Sequence, residues 1–525
     1  FSFLDLLQRY YNRLLDVCMA HPIYTLGIGL LSIVAGAVWL QHLPQQLMPF
    51  ADRNQFAVEI FLPNGTRVEQ TAEVADSLEH ILRQDSRVVS VASFNGCASP
   101  RFQNSYAPQI AGSNFAQFIV NTTGNKETVE LLDEYAPKYS NYFPNARIRF
   151  KQLSYSEAAY PIELRLSGEN WQAVKQDAER IKEELHKIPG LILIQSDVNE
   201  PQAALNVVLH EDEASRLGIS NLTVESTLAM RYNSGIPLAQ VWEGDYSIPI
   251  VLKGDNADNT TLSAIRNEQI PAGNGLTTVP LRQVADVVPA WEDGQIVRRN
   301  GIYTITVQSE LQRGENGMEK TGQIQNALKD FDLSPGVSLK YGGDVEDNED
   351  KMPPVMAGLM VAAVVIFFIL VFHFKKVSIA ALIFCSMLLC VFGTAAGIWI
   401  QGVDFSVTCV LGIVSLMGII VRNGIIMIDY AEELRKTERL CVRDAIYHSA
   451  RRRMRPIFLT SAAASMGVIP MILGGSGLWM PMGTVICYGT LITMLFLLTV
   501  LPAAYLLIFR GSSRKRAKAA MLEQQ

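Results

Sequence analysis

No two histidines in this chain have metal-ligand spacing. The seven His stand apart, at positions 21, 42, 80, 186, 210, 373 and 448, whereas a zinc-type site draws ligands a few residues from one another. Six of the seven Cys lie in or next to long apolar tracts. Only Cys97 falls in the polar region between them, so no disulfide can form within that region. A phosphate-cradling glycine loop, a Walker motif and a Ser/His/Asp grouping are also absent. ATP use is therefore not visible, an enzyme has no nucleophile or acid/base set to work with, and no cofactor is expected. Positive charge is not in excess: 45 Lys and Arg against 51 Asp and Glu give a net charge of −6, which argues against nucleic acid as a partner. No Met occurs between Met48 and Met230, and the first residue, Phe1, is not a Met. The expectation is that something upstream was removed or that the sequence is part of a longer one.

What the chain has is apolar length, with 49% hydrophobic residues and 18% charged. Spans of about 20 apolar residues can cross a bilayer, and six are expected: 22–42, 353–374, 377–400, 404–431, 456–474 and 480–510. The last two divide a long tract broken at Gly474-Gly475-Ser476-Gly477. Residues 1–21 read as an amphipathic helix with Arg9 and Arg13 on its polar side. Threading six spans puts Arg9, Arg13, Lys375-Lys376, the turn 432–454 and the basic tail 511–525 on one side. By the excess of Lys and Arg that side is cytosolic. Both termini are then cytoplasmic, and the roughly 310-residue region after the first span is exported.

The exported region mixes strands and helices. Phe56, Val58, Ile60 and Leu62 alternate at period two, and Ala72, Ala75, Leu78 and Leu82 follow at helical spacing. Two strands, a helix and a further strand with Ile148 and Phe150 complete a β-α-β-β-α-β order, the ferredoxin-like one. This first module spans 43–155. The pattern restarts with Ile162, Leu164 and Leu166 and is interrupted by an insertion, giving a second, split module at 156–210 and 290–345 around residues 211–289. The expected class is a polytopic α-helical membrane protein of six spans with a large α+β exported region.

The most informative stretch is Leu411 to Thr460. Arg422 stands near the middle of an apolar span, where an arginine costs roughly 2.5–3.5 kcal/mol even on a lenient insertion scale. Thr408, Ser415, Arg422 and Asp429 follow at intervals of seven, close to two helical turns, and so share one stripe. Arg453, Thr460, Gly467 and Gly474 repeat the interval on the next span. Polar and small-residue stripes of this kind face protein rather than lipid. The competing reading is that Arg422 snorkels to headgroups and pairs with Asp429. Arg453 could equally belong to an ordinary cytosolic cluster with Arg451, Arg452 and Arg455, and Thr460 could bond back to its own helix. Buried polar stripes without ATP motifs suggest an ion or proton gradient as energy source.

Four stretches in register with this layout resemble the C-terminal half of a resistance-nodulation-division (RND) exporter, of the AcrB-type hydrophobe/amphiphile branch. They are Leu47-Met48-Pro49-Phe50-Ala51-Asp52 with Leu62-Pro63-Asn64-Gly65-Thr66, then Asp212–Ser220, Gly418–Tyr430 and Arg453–Ser461. The resemblance implies a homotrimer in the bacterial inner membrane, with a large periplasmic porter region. It also implies an N-terminal half of similar build, a periplasmic adaptor and an outer-membrane channel faced by the insertion as docking domain. Arg422, Arg453 and Thr460 stand at the positions of the family's relay lysine, arginine and threonine, with Asn423, Asp429 and Ser415 as polar neighbours. Arg422 departs from the family's lysine, and arginine does not release its proton in proteins. It can act only as a fixed cation whose partner changes charge. The family's proton-accepting aspartates belong to the other half, so this chain is expected not to run a proton cycle alone.

For cargo, the Met-free first module speaks against copper or silver. Phe94, Phe102, Tyr106, Phe115 and Phe118 are candidates for a substrate path, although Ala92 and Cys97 stand where two pocket Phe would align. The reading favours small amphiphilic organic compounds, with a metal-exporting member of the family as an alternative. A non-transporting membrane scaffold or sensor is the reading from another class, and an exported enzyme on a membrane anchor is disfavoured.

Overall fold

The computed structural model describes residues 3–522 except 47, 107, 108, 110, 111, 199, 233, 234, 255–260 and 274. Leu47 of the first quoted motif and the side chains of the basic tail lie outside the described residues. The chain divides into two units: Pro63–Thr66 with Val198–Ile296, and the remainder.

The larger unit opens with helices α1 (Phe3–Ala20) and α2 (Pro22–Gln41), the latter begun by a proline at its first position, where the missing N–H is no loss. The first α/β module follows as β1 (Gln55–Phe61), α3 (Val68–Arg83), β2 (Val88–Asn95), β3 (Phe115–Thr122), α4 (Asn125–Tyr139) and β4 (Arg147–Gln152). Its antiparallel sheet runs in the order β2-β3-β1-β4. Period-two alternation turns Phe56, Val58 and Ile60 of the central strand towards Leu78, Leu82 and Leu131 on the two helices. The second module begins with β5 (Ile162–Gly168), α5 (Trp171–Leu185) and β6 (Leu191–Ser196). Asn170 caps α5 by accepting from the amides of Gln172 and Ala173.

The smaller unit contains β7 (Gln202–Leu209), α6 (Glu211–Arg216), α7 (Asn221–Tyr232), β8 (Ile236–Glu243), β9 (Tyr246–Leu252), α8 (Leu262–Arg266), β10 (Gln269–Pro271), β11 (Thr278–Pro280) and β12 (Ala285–Glu292). It is wider than the expected insertion at 211–289. β7, expected in the second module, pairs instead along its whole length with β12, from Gln202↔Glu292 to Leu209↔Ala285. The two strands bracket the inserted helices, and pairing with each other satisfies their backbone groups locally. A core of Ala214, Ile219, Ile265, Ile270, Leu281 and Val287 supports this unit.

Back in the larger unit, β13 (Arg298–Arg299), β14 (Ile302–Leu311), α9 (Gly317–Ala327) and β15 (Ser338–Gly343) complete the second module. β14 lies between β5 and β6, and β15 pairs with the other edge of β5. The remaining helices are α10 (Asp344–Phe374), α11 (Val377–Ser386), α12 (Cys390–Gln401), α13 (Val407–Thr437), α14 (Val442–Leu473) and α15 (Met480–Leu522). With α2 they provide six segments long and apolar enough to cross a membrane, α11 and α12 together making one of them across a single 3₁₀ turn.

Three boundaries differ from those read off the sequence. The acidic stretch from Asp344 is the first turn of α10, where carboxylates favour the positive helix end. The turn expected at 432–454 is mostly helix, because α13 runs on to Thr437 and α14 starts at Val442. The backbone of α15 continues beyond residue 510 to Leu522.

Small residues set the helix spacing. α2 buries Thr25, Gly29, Ser32 and Gly36, one stripe at three- and four-residue steps. A Cβ on Gly36 would lie 2.6 Å from the backbone of Phe392 on α12. Van der Waals packing of such close helices is the main attraction available in lipid, where burial from water does not operate.

Candidate functional site

On α13 the stripe read from the sequence is real but open. Ser415, Gly418, Arg422 and Asp429 are exposed, while Leu416, Ile420, Asn423 and Met427 are buried on the opposite side. Arg422, expected to be lodged inside the bundle, has no hydrogen bond or ion pair among the described residues and is exposed within this chain. It does not pair with Asp429, whose carboxylate lies 3.7 Å from His373 Nε2. Thr408 is the buried member of the stripe and shares a 2.8 Å hydrogen bond with Ser406.

α14 presents a second open face. Thr460, Gly467 and Gly474 are exposed and Arg453 is half-buried. Thr460 Oγ1 donates 3.1 Å to the carbonyl of Ile457 on its own helix. The Arg453 guanidinium lies over the Tyr430 ring at 4.4 Å, with its Nε buried and unpartnered. Among the described residues no hydrogen bond, ion pair or ring contact brings Arg422, Arg453 and Thr460 together. The structure joins their helices through neighbours instead. Asn423 Nδ2 donates to Ser461 Oγ at 3.2 Å, and Ser449 Oγ donates to the Met427 carbonyl at 2.6 Å. Asn423 Oδ1 is left unpaired in the interior. Ser461 was not singled out from the sequence, although it directly follows Thr460.

The lower end of α13 is pinned separately. Glu432, buried, accepts from Lys376 Nζ at 2.7 Å, from Arg435 at 2.6 Å and from the Tyr505 hydroxyl. This cluster holds α11, α13 and α15 together without involving the open stripe.

In the α/β part of the larger unit, a cleft of about 620 Å³ runs between the two modules. Met48, Phe50 and Phe150 line it with Leu193, Leu311 and Met318, interleaved with Arg149, Glu310 and Asp344. None of the five aromatics proposed for a substrate path lines it. Phe115 and Phe118 lie in the core of the first module, Tyr106 is buried, and Phe94 and Phe102 are half-buried. Period-two alternation sends Phe118 to the helix-covered face of β3, where a core needs it.

At the head of the cleft sits a buried ionic knot. β1 and β4 place Glu59 directly opposite Arg149. Glu59 is 0% exposed and Arg149 2%. Arg149 donates to Glu59 at 3.1 Å, to Glu310 of the second module at 2.6 Å and to the Ala159 carbonyl at 2.8 Å, and it stacks 3.8 Å over Tyr160. The Tyr106 hydroxyl closes the set on Glu59 and receives Gln117 Nε2 at 3.1 Å. Burial alone would raise the Glu59 carboxyl, but the charges of Arg149 and Lys151 hold it below the usual range. Lys151 lies 4.8 Å over the Tyr106 ring, and burial, with the neighbouring Arg149 charge, lowers its ammonium to about 8.

These features amount to an open charged seam on a bundle of long apolar helices and a cleft enclosed by two modules. A family model described as the AcrB/AcrD/AcrF family matches residues 2–509, and the chain belongs to this family of RND transporters. It is similar to the cobalt-zinc-cadmium resistance protein CzcA of Cupriavidus metallidurans, 24% identical over 96% of this chain and 48% of that protein. It is also similar to protein HelA of Legionella pneumophila, 23% identical over 98% of this chain and 50% of that one. The nickel and cobalt resistance protein CnrA of Cupriavidus metallidurans is 22% identical over 97% of this chain and 49% of its own length. The X-ray structure of a heavy metal efflux pump, crystal form I, superposes with a TM-score of 0.82 at 22% identity, covering 97% of this chain and 53% of that one. The chain thus spans about half the length of the curated relatives it matches.

Proposed function

We propose that this chain acts as the C-terminal half of a proton-driven RND exporter and that its cargo is a divalent metal cation. The observation that carries the transport reading is Arg422, a permanent cation on an exposed stripe of an apolar helix with no counter-ion among the described residues. A second half supplying carboxylates against α13 and α14 would neutralise it, and a proton binding those carboxylates would change the force on it. Arg453 and Thr460 lie on the open face of the next helix, α14, while Ser415 and Asp429 share the α13 stripe and Asn423 sits on its buried side. In this reading both termini are cytoplasmic and the two modules, each ferredoxin-like, are periplasmic. The inserted unit docks towards an outer-membrane channel, and a homotrimer with a periplasmic adaptor completes the assembly.

The cargo reading departs from the amphiphile expected on the sequence, because the relatives carry cobalt, zinc, cadmium and nickel resistance in their names. The apolar walls of the cleft, Phe50 and Phe150 among them, favour an amphiphile as a second reading. The test is accumulation in cells carrying both halves. Loss of cobalt, zinc, cadmium or nickel retention, abolished by Arg422→Ala, supports the metal reading. Export of a dye or bile salt alone supports the second. Efflux at full level by this chain without its partner half refutes the proton scheme, and undiminished efflux by Arg422→Ala refutes the assigned role.

A further inference from the structure

Between α2 and β1 runs a stem, residues 44–52, that is tied to almost every element around it. The amide of Phe405, in the loop between α12 and α13, donates to the Pro44 carbonyl at 2.8 Å, and the Gln46 amide donates back to Phe405 at 3.0 Å. Asn316, which caps α9 of the second module, donates to the Gln45 carbonyl at 2.9 Å. The Ala51 amide donates to Leu153 at 2.8 Å and the Tyr155 amide to Pro49 at 3.2 Å, so the stem is paired with the chain leaving β4.

The last tie reaches the loop between α14 and α15. Ser476 Oγ donates to Asp52 Oδ2 at 2.6 Å, and the Gly477 amide donates to Asp52 Oδ1 at 3.1 Å. The same Oδ1 receives Asn125 Nδ2, at the start of α4, at 3.4 Å. Bonds to an ionised carboxylate are the stronger kind. The fit is close: a Cβ on Gly477 would stand 3.2 Å from the Phe50 carbonyl oxygen and 3.4 Å from Pro49. The loop is short, from Leu473 to Met480, and turns through Gly475 at φ +66°. A displacement of the end of α14 therefore has little slack in which to be lost before it reaches Asp52.

We infer that Asp52 is a positioning residue that transmits movement of α14, the helix of Arg453 and Thr460, into the first exported module through Ser476 and Gly477. The inference rests on the exporter reading for its purpose, though not for its mechanics. Energetic coupling of this kind requires that a perturbation on one side be felt on the other.

The test has two arms. In proteoliposomes holding the full transporter, this chain with its N-terminal half, Asp52→Ala should lower cargo export tenfold or more while gradient-driven proton entry stays within twofold. Asp52→Asn, whose amide oxygen still accepts from Gly477, should restore export to within threefold. Export and proton entry falling in parallel, or neither changing, would overturn the inference. The second arm needs no cargo. Pro470→Ala, which alters the last turn of α14, should change amide exchange at residues 50–52 at least threefold in the otherwise native chain and leave it unchanged in the Asp52→Ala background. An equal change in both backgrounds overturns the coupling. A native assembly that moves neither protons nor cargo would overturn the exporter reading, and the exchange arm would then decide the coupling by itself.

Discussion

Replacing Arg149 by methionine removes the centre of the buried knot while keeping much of its apolar stem. Glu59, 0% exposed, would lose the cation opposite it, and Glu310 would lose its 2.6 Å partner. Breaking a buried pair by deleting one member costs about 3–5 kcal/mol, because the survivor is left charged and dry. Two groups soften the loss here. Lys151 still faces Glu59, and the Tyr106 hydroxyl still bonds it. The expected cost is therefore at the lower end, about 3 kcal/mol. The pH dependence gives a second handle. In the native protein Glu59 is held below the usual carboxylate range, so its contribution is present above that range and lost in acid. Without Arg149 burial dominates and raises the carboxyl, so the folded state holds a proton the unfolded state has released. Stability of the variant must then fall as pH rises from about 5 to 7, opposite in slope to the native trend. The double variant Glu59→Met/Arg149→Met should recover most of the loss, since an apolar pair can replace a buried ion pair at little cost. Denaturant unfolding of the detergent-solubilised chain at pH 5 and pH 7 measures all of this. A loss below about 1 kcal/mol for Arg149→Met, or a double variant no better than the single, refutes the argument.

Two further predictions concern single sites. Lys151→Met should stabilise the protein at pH 7, by no more than about 3 kcal/mol. The lowered ammonium, about 8 against 10.5 when unfolded, penalises the folded state below pH 8, and that penalty fades as pH rises towards 10.5. The measurement is thermal unfolding across that range, where the native slope should flatten in the variant. Gly36→Val should separate α2 from α12, because its Cβ would overlap the Phe392 backbone at 2.6 Å. Overpacking of this sort costs about 1–3 kcal/mol, read as a lower unfolding temperature in detergent, with Gly27→Val, where a Cβ meets nothing, as the control.

How much of this was legible in the sequence depended on whether a pattern is local. Alternation in Phe56, Val58 and Ile60 located the central strand because its helix-facing side is continuous in sequence. The interval of seven located the α13 stripe for the same reason. Glu59 was not legible, although it sits in the same strand. Its meaning depends on the register that brings Arg149 across from it and on Glu310, 161 residues further along than Arg149. The five aromatics illustrate a different limit: a substrate path and a protein core ask for the same side chains, and only the fold shows that Phe118 belongs to the core of the first module, while Phe150, of the same core, also borders the cleft. The pairing of β7 with β12 escaped because a strand's partner is chosen by which edge is free. The ends of α13 and α14 escaped because the charged turn between them is as favourable to helix as to loop.

The open seam and the interior of this chain are held by different residues. Asn423 with Ser461, Ser449 with the Met427 carbonyl, and Glu432 with Lys376, Arg435 and Tyr505 all fasten α13 to its neighbours from the buried side. None of them uses Ser415, Arg422, Asp429 or Thr460. Arg422 thus adds no hydrogen bond or ion pair to the fold among the described residues, and in lipid it would work against folding by roughly 2.5–3.5 kcal/mol. On the reading proposed above, the counter-charge of Arg422 comes from a second half of the kind that the relatives, about twice as long, contain. Removing Arg422 should therefore leave the isolated half as stable as before, or more so, and silence only the assembled pair.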